Sequence, residues 1–282
     1  MNIQILHIRS ERVLSPTGIE IADYTVIPYR GCSFGCRYCY VRLNQFARRH
    51  PLPYGSYVEI KDNLLELLSH QLNHQPVKKI LIGSVTDPYQ PVEKEYRMTR
   101  RILALLAERE IACTILTKSD LILRDIDWLK QLPKVTICFT LNDPEIISRM
   151  EHQTPRLETR MDAIAELNHQ GIYTYAHIGP YFPFITHYET FLRRLGSSCR
   201  RINFESPNFK MIENPSSLIQ QIGMINPDLP AVYHRLMTDQ AFYDHYWQTL
   251  EEEIRTAAGD NHYTIACLFR PFDRYYKNDP VI

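Results

Sequence analysis

The sequence predicts an α/β fold built on a parallel sheet, with a mostly helical extension at the C-terminus. Three observations carry this: apolar strand-like runs alternate with helical stripes across residues 19–205, six strands are countable there, and polar clusters stand where those strands end. Strands separated by helices of about ten residues need right-handed crossovers, which produce parallel sheets.

Residues 19–28 form the first strand, rich in Ile, Val and Tyr, and lead into a cysteine-dense segment. Leu64, Leu65, Leu67, Leu68 and Leu72 make the stripe of a helix over residues 63–74. Residues 79–83 are a short buried strand, 99–109 a helix and 111–116 the third strand. Helix follows at 125–132, strand at 135–141, helix at 157–169 ended by Gly171, strand at 172–178, helix at 188–195 and the sixth strand at 201–204. Beyond Asn208, stripes at 216–224 and 240–255 predict helices, and 263–269 is strand-like.

Composition sets the outer bounds. The 282 residues are 44% hydrophobic and 23% charged, which excludes disorder and fibrous repeats. No apolar run approaches the roughly 18 residues of a membrane span, and residues 1–11 lack a signal-peptide pattern. With seven cysteines and no such signal, a cytoplasmic location is expected. The 32 basic and 32 acidic residues cancel, so the chain lacks the net charge of a nonspecific nucleic-acid binder, although local patches remain possible.

The strongest chemical signal is Tyr29-Arg30-Gly31-Cys32-Ser33-Phe34-Gly35-Cys36-Arg37-Tyr38-Cys39-Tyr40. Its spacing brings three thiolates to one small volume, and soft thiolates hold iron in clusters. A four-iron cubane normally takes four protein ligands, so three leave one iron open for chemistry. Zinc sites instead pair their ligands as two short motifs, and no partner pair follows here.

Ligands of parallel barrels and open sheets bind at the carboxyl ends of strands. There the chain places Ser84, Thr86 and Asp87, then Thr117, Lys118 and Ser119, then Thr140, Asn142 and Asp143. Such residues also serve as helix caps, which is the competing account of Ser119, Asp120 and Asp143.

The cysteine spacing, with an aromatic at Tyr38 before the third, resembles the radical S-adenosylmethionine (radical SAM) superfamily. The run Leu116-Thr117-Lys118-Ser119, then Ile137 to Asn142, Thr154 to Met161, and Gly171 with Pro180, resembles its spore photoproduct lyase branch over about two thirds of the chain. The resemblance implies a partial (β/α)6 parallel barrel at residues 1–207. Residues 208–282, aromatic and proline-containing, are read from their own pattern as a mostly helical cap packed on the barrel or a substrate-facing extension, and they do not match the lyases' C-terminal region. The resemblance implies one 4Fe-4S cluster on Cys32, Cys36 and Cys39, and S-adenosylmethionine, cleaved reductively to a 5′-deoxyadenosyl radical that abstracts hydrogen from a substrate not yet known. It also implies an electron donor such as flavodoxin or ferredoxin.

Carried over by position, Lys118 corresponds to a contact with the cofactor's carboxylate, and Thr140 and Asn142 to contacts with its ribose and methionyl parts. Ser84, Thr86 and Asp87 belong to the cofactor-facing turn after the second strand, and Tyr38 lies near the adenine. Tyr40 either relays a hydrogen atom or packs behind the cluster. Where the lyases carry a hydrogen-donating cysteine, this chain has Ser84, whose O–H bond does not yield hydrogen readily. Period two along residues 135–141 puts Cys138 on the face of Thr140, as a replacement donor or as a buried hydrophobe. Cys267, in the late strand-like segment, is a further thiol placed to fold over the site. Rival functions are lesion repair or base modification on nucleic acid, a cluster-carrying sensor without turnover, and a zinc-binding structural protein.

Overall fold

A computed structural model of the protein describes residues 3–19, 21–196, 198–259 and 263–272. The final residues of the expected cap, 273–282, lie outside the described residues. The chain begins with β1 (Gln4–Ile8), β2 (Leu14–Pro16), β3 (Tyr24–Val26) and β4 (Tyr29–Arg30), whose end delivers the cysteine loop. Next come α1 (Gln45–Arg49), β5 (Tyr57–Lys61), α2 (Leu64–His74), β6 (Lys79–Ile82), α3 (Glu93–Tyr96), α4 (Met98–Glu108), β7 (Ala112–Thr117) and α5 (Ile126–Leu129). β8 (Val135–Leu141), α6 (Pro144–Met150), α7 (Leu157–His169), β9 (Thr174–Ile178), α8 (Tyr188–Leu195) and β10 (Arg201–Glu205) complete the alternation. α9 (Pro215–Ile225), α10 (Leu229–Thr238), α11 (Gln240–Ala258) and β11 (Thr264–Leu268) follow.

The main sheet runs β11-β10-β9-β8-β7-β6-β3-β2, with every pair parallel except β2 with β3. It does not close on itself, so the architecture is a partial barrel. All six expected strands take part, in sequence order. β11 adds a seventh parallel strand, so the C-terminal segment contributes to the sheet as well as lying against it. β1, β5 and β4 form a separate small sheet beside the cysteine loop.

The strands form because their alternate residues are long apolar side chains with helices to bury them. Ile80, Ile82, Ile115, Ile137, Phe139, Leu141, Ile178, Ile202 and Phe204 are all fully buried in one core with α4 and α7 residues such as Ile102 and Ile164. Each such aliphatic or aromatic side chain contributes about 1.5–3 kcal/mol by leaving water. The intervening positions, among them Cys138, Tyr175, His177, Asn203 and Glu205, share the concave face. That face is the lumen.

Two expectations change in detail. The first strand shrinks to three residues, and the 125–132 helix shrinks to α5 because Asp120–Asp125 winds as a 3₁₀ helix capped by Ser119 Oγ. α6 starts on the motif the sequence suggested, with Asp143 accepting from the Glu145 N–H at 2.9 Å and Pro144 at the first turn.

Candidate active site

The cysteine loop is shaped by its glycines and tied to the turn after β6. Gly31 has φ +86, and a Cβ there would stand 2.5 Å from the Tyr57 carbonyl oxygen. Thr86 Oγ1 donates to the Gly31 carbonyl at 2.7 Å, and Gln90 joins the loop at two points, accepting from the Ser33 N–H at 2.8 Å and donating to Gly31 at 3.2 Å. Arg42 straps the far side, donating to the carbonyls of Gly35 (2.9 Å) and Cys36 (3.2 Å). Gly31→Ala is therefore expected to destabilise the protein by about 1–3 kcal/mol through left-handed strain and the Tyr57 clash, and to lower iron uptake. Melting and iron analysis of the purified variant check this; an unchanged melting temperature would show that the loop absorbs the side chain.

Cys32 and Cys36 are buried and Cys39 is half-buried, all three as free thiols. They lie close enough for each to feel another: Cys39 acts on Cys32, Cys32 on Cys36, and Cys36 on Cys39. Burial pushes the first two thiols up to about 12 and the third to about 11. The Asp87 and Phe34 N–H groups bonded to the Cys32 sulfur, and the Val41 N–H bonded to Cys39, pull the other way. Backbone donors aimed at sulfur suit thiolates, and a metal core supplies the positive charge that three crowded anions need. Among the described residues no three His, Cys, Asp or Glu side chains converge as a single ion requires. A cluster holding one thiolate per iron makes no such demand, so the donor set fits it.

Behind the loop a buried polar network joins the ends of β7 and β8. Lys118 Nζ donates to Tyr38 Oη at 2.6 Å and to Glu151 Oε1 at 2.7 Å. Tyr38 donates to the same carboxylate oxygen, and Asn142 Nδ2 reaches Tyr38 Oη at 3.2 Å and Glu151 at 3.4 Å. On its other oxygen Glu151 is gripped by Arg160, whose guanidinium also donates to Thr154 Oγ1 (2.6 Å) and the carbonyls of Pro155 (2.9 Å) and Thr140 (3.2 Å). Burial alone would raise the Glu151 carboxyl, but the charges of Arg160 and Lys118 outweigh it and hold it well below the ordinary range. The Cys36 thiol senses Lys118, Glu151 and Arg160, which places the network against the cysteine loop.

Asp87 clasps β6 to β7, accepting from Tyr89 N (2.9 Å), Thr117 Oγ1 (2.8 Å) and Lys118 N (2.7 Å), while burial raises its carboxyl. Gly83 makes this turn possible, because at φ +100 a Cβ would meet the Leu116 carbonyl oxygen at 2.4 Å. Ser84 packs its hydroxyl 3.2 Å from Thr25, and its carbonyl accepts from the half-exposed Tyr40 hydroxyl at 2.5 Å.

In the lumen, Cys138 is hydrogen-bonded to Tyr175, over whose ring the Arg201 guanidinium stacks at 5.2 Å. Burial pushes the Cys138 thiol up to about 12. One layer higher, His177 Nε2 lies 3.0 Å from Glu205 and Arg270 donates to the other carboxylate oxygen at 3.2 Å. Cys267 turns out differently from expectation: its register partner is the outward-facing Phe204, and the charges it senses, Glu251 and Arg255, belong to α11. It faces the helices rather than the site. Thr140 sits half-buried opposite His177 on the lumen face.

The structure thus gathers Cys32, Cys36, Cys39, Tyr38, Lys118 and Asn142 into one neighbourhood, with Ser84, Thr86 and Asp87 as its floor and Tyr40 at its edge. Cys138 lies deeper. Glu151 and Arg160, the centre of the network, were not legible in the sequence. They stand nine positions apart among other charges, and only burial distinguishes them.

An open parallel barrel with a three-thiol loop and a charged network at its strand ends defines the class: a barrel enzyme that works at the carboxyl ends of its strands. The chain belongs to the radical SAM superfamily, whose profile matches residues 26–193. It is 37% identical to an uncharacterized protein of Methanocaldococcus jannaschii over 64% of this chain and 69% of that one. It is 31% identical to a Mycobacterium tuberculosis protein over 58% of this chain, and 26% identical to the spore photoproduct lyase of Clostridium acetobutylicum over 57%. The match spans 51% and 47% of those two relatives. In structure it is similar to a spore photoproduct lyase complexed with dinucleoside spore photoproduct, with TM-score 0.63 and 13% identity over 94% of this chain and 82% of that one. At that identity the likeness is one of fold. No helix among the described residues is long and apolar enough to cross a membrane.

Proposed function

We propose that Cys32, Cys36 and Cys39 hold a single 4Fe-4S cluster with one iron left open, and that S-adenosylmethionine binds it against the β6, β7 and β8 ends. When bound, these groups supply a 5′-deoxyadenosyl radical that takes hydrogen from substrate. The observation that carries the reading is that two buried thiols, Cys32 and Cys36, and the half-buried Cys39 lie near enough to act on one another beside the Lys118, Tyr38, Asn142 and Glu151 network.

The chain's own residues divide the work. Lys118 spends two of its three N–H donors on Tyr38 and Glu151, among the described residues, which leaves one for a ligand carboxylate. Glu151 fixes that ammonium in place, and Arg160 keeps Glu151 ionised. Half-buried Thr140 offers a hydroxyl to the rest of the cofactor, whereas Asn142, fully buried, spends its amide on Tyr38, Glu151 and the Asp143 N–H and acts by holding the network. Thr86 and Asp87 hold the loop and the Lys118 backbone rather than meeting solvent.

The substrate occupies the lumen below, where Cys138 is the hydrogen donor, Tyr175 orients its thiol, and the His177, Glu205 and Arg270 trio fixes polar groups. The described residues of the C-terminal segment, 208–259 and 263–272, act as a cap: Arg270 reaches Glu205, and Tyr233 donates to the Pro183 carbonyl at 2.8 Å. Nucleic-acid lesion chemistry is the second reading, favoured by the likeness to a lyase named for a photoproduct.

The test is anaerobic reconstitution with iron and sulfide, reduction with dithionite, and addition of S-adenosylmethionine. Formation of 5′-deoxyadenosine is expected. A verified, reduced cluster that binds S-adenosylmethionine and yields none, with or without damaged oligonucleotide, would sink the radical mechanism.

A further inference from the structure

The chain is neutral as a whole, yet charge is unevenly placed along it. Residues 31–58 contain Arg37, Arg42, Arg48 and Arg49 and no aspartate or glutamate. Arg42 is consumed in strapping the loop and pairs with Glu213 at 3.5 Å. Arg37, Arg48 and Arg49 are exposed, and among the described residues no carboxylate pairs with any of them. Arg37 stands between the second and third cysteines, its backbone N–H donating to the Met150 carbonyl at 2.9 Å and its side chain to exposed His152 at 3.2 Å.

These arginines sit over a thin apolar layer. Phe34, Val41, Ala47 and Tyr54 pack with Cys32 and Cys36 into one small buried cluster, separate from the main core. Ala47 is its α1 member, and Arg48 and Arg49 follow it directly into solvent. A partner docked on Arg48 and Arg49 meets the helix whose Ala47 shares a cluster with Cys32 and Cys36.

We infer that Arg37, Arg48 and Arg49 form the docking face for an acidic one-electron carrier protein. This rests on the proposed cluster, which requires a reductant. One electron leaves the carrier, a flavin hydroquinone becoming a semiquinone for example, and enters the cluster, lowering its charge by one; no proton or atom moves across the interface. Complementary charge steers such encounters and is weakened by salt. Arg37 lies against the end of α6, and Arg48 and Arg49 end α1 beside the loop's apolar cluster.

The experiment titrates a purified acidic flavodoxin into reconstituted protein at low and high salt, for the parent and for Arg48→Glu/Arg49→Glu. Iron and sulfide are assayed on the same samples. The parent is expected to bind with an affinity that falls steeply with salt, and the double variant about tenfold or more weaker at low salt. Cluster content and 5′-deoxyadenosine formation with dithionite should be unchanged, because neither arginine touches a thiol. Equal binding by parent and variant, or binding indifferent to salt, overturns the docking face while leaving the cluster reading intact. Arginine-dependent binding to a chain that takes up no iron sinks the cluster reading and leaves the surface standing. Single-stranded DNA is titrated in parallel. Arginine-dependent binding of DNA, without binding of flavodoxin, overturns the proposal in favour of a nucleic-acid surface.

Discussion

Cys36→Ala is expected to lose cluster iron and to bring 5′-deoxyadenosine formation under dithionite to background, whereas Cys138→Ala keeps both near the parent's level. The contrast follows from where each thiol lies. Cys36 is buried in the loop, feels Cys32, and is sensed by the Lys118 and Glu151 network, so on the proposed reading its loss removes one of three ligands with no spare. Cys138 is on β8, bonded to Tyr175, with Glu205 and Arg201 as the charges it senses rather than the other thiols. Its removal opens a small space in the lumen and leaves the loop untouched. Both variants are made anaerobically and assayed for iron, sulfide and nucleoside product. A Cys36→Ala protein with full iron and product removes the assignment of the loop. Loss of iron in Cys138→Ala would place that thiol among the ligands and change the donor set.

How much of this was legible in the sequence depends on how local each feature is. The three cysteines span eight residues, so spacing alone conveys their convergence. Six strands were legible because each is a short apolar run between amphipathic helices, and the parallel topology follows from that alternation. The small sheet was not. β5 reads Tyr-Val-Glu-Ile-Lys, an alternating pattern with one wet face, yet all five residues are buried. Glu59 is covered through Arg30, and Lys61 through the Ile27 carbonyl at 2.8 Å. β11 was legible as a strand but not as a member of the sheet, since nothing local says which edge it joins. Cys267 fails for a related reason: period two sorts a strand into two faces but does not name the inner one until the register with β10 is known. Glu151 is the clearest case of non-local information. Arg149 and His152 flank it, so the stretch looks like the exposed end of a helix. The partner that defines it, Lys118, lies 33 positions away and meets it only once β7 and β8 are side by side.

Glu151→Ala is expected to be the most damaging change outside the cysteines. The side chains of Glu151 and Arg160 have no exposed surface, and that of Lys118 has 15%. Removing the carboxylate leaves two cations facing each other, with Tyr38 and Asn142 deprived of an acceptor. Breaking a buried ion pair from one side costs about 3–5 kcal/mol, and for a chain of this size that lowers the melting temperature by on the order of 10 °C. S-adenosylmethionine binding should weaken with it, because Lys118 loses the contact that aims it. Glu151→Gln keeps the shape and separates packing from charge. The pH dependence gives a second readout. The carboxyl is held below its ordinary value of 4.5 in the folded chain, Arg160 and Lys118 outweighing burial. A group depressed on folding binds its proton more readily when unfolded, so its stabilisation is complete above that value and drains away only as pH falls toward the folded one. The difference in melting temperature between parent and Glu151→Gln should therefore stay constant from about pH 7 to about pH 5 and narrow only in more acid solution. A gap that is already closing at about pH 6 would mean that the two cations do not hold this carboxylate ionised, and the positioning of Lys118 would need another cause.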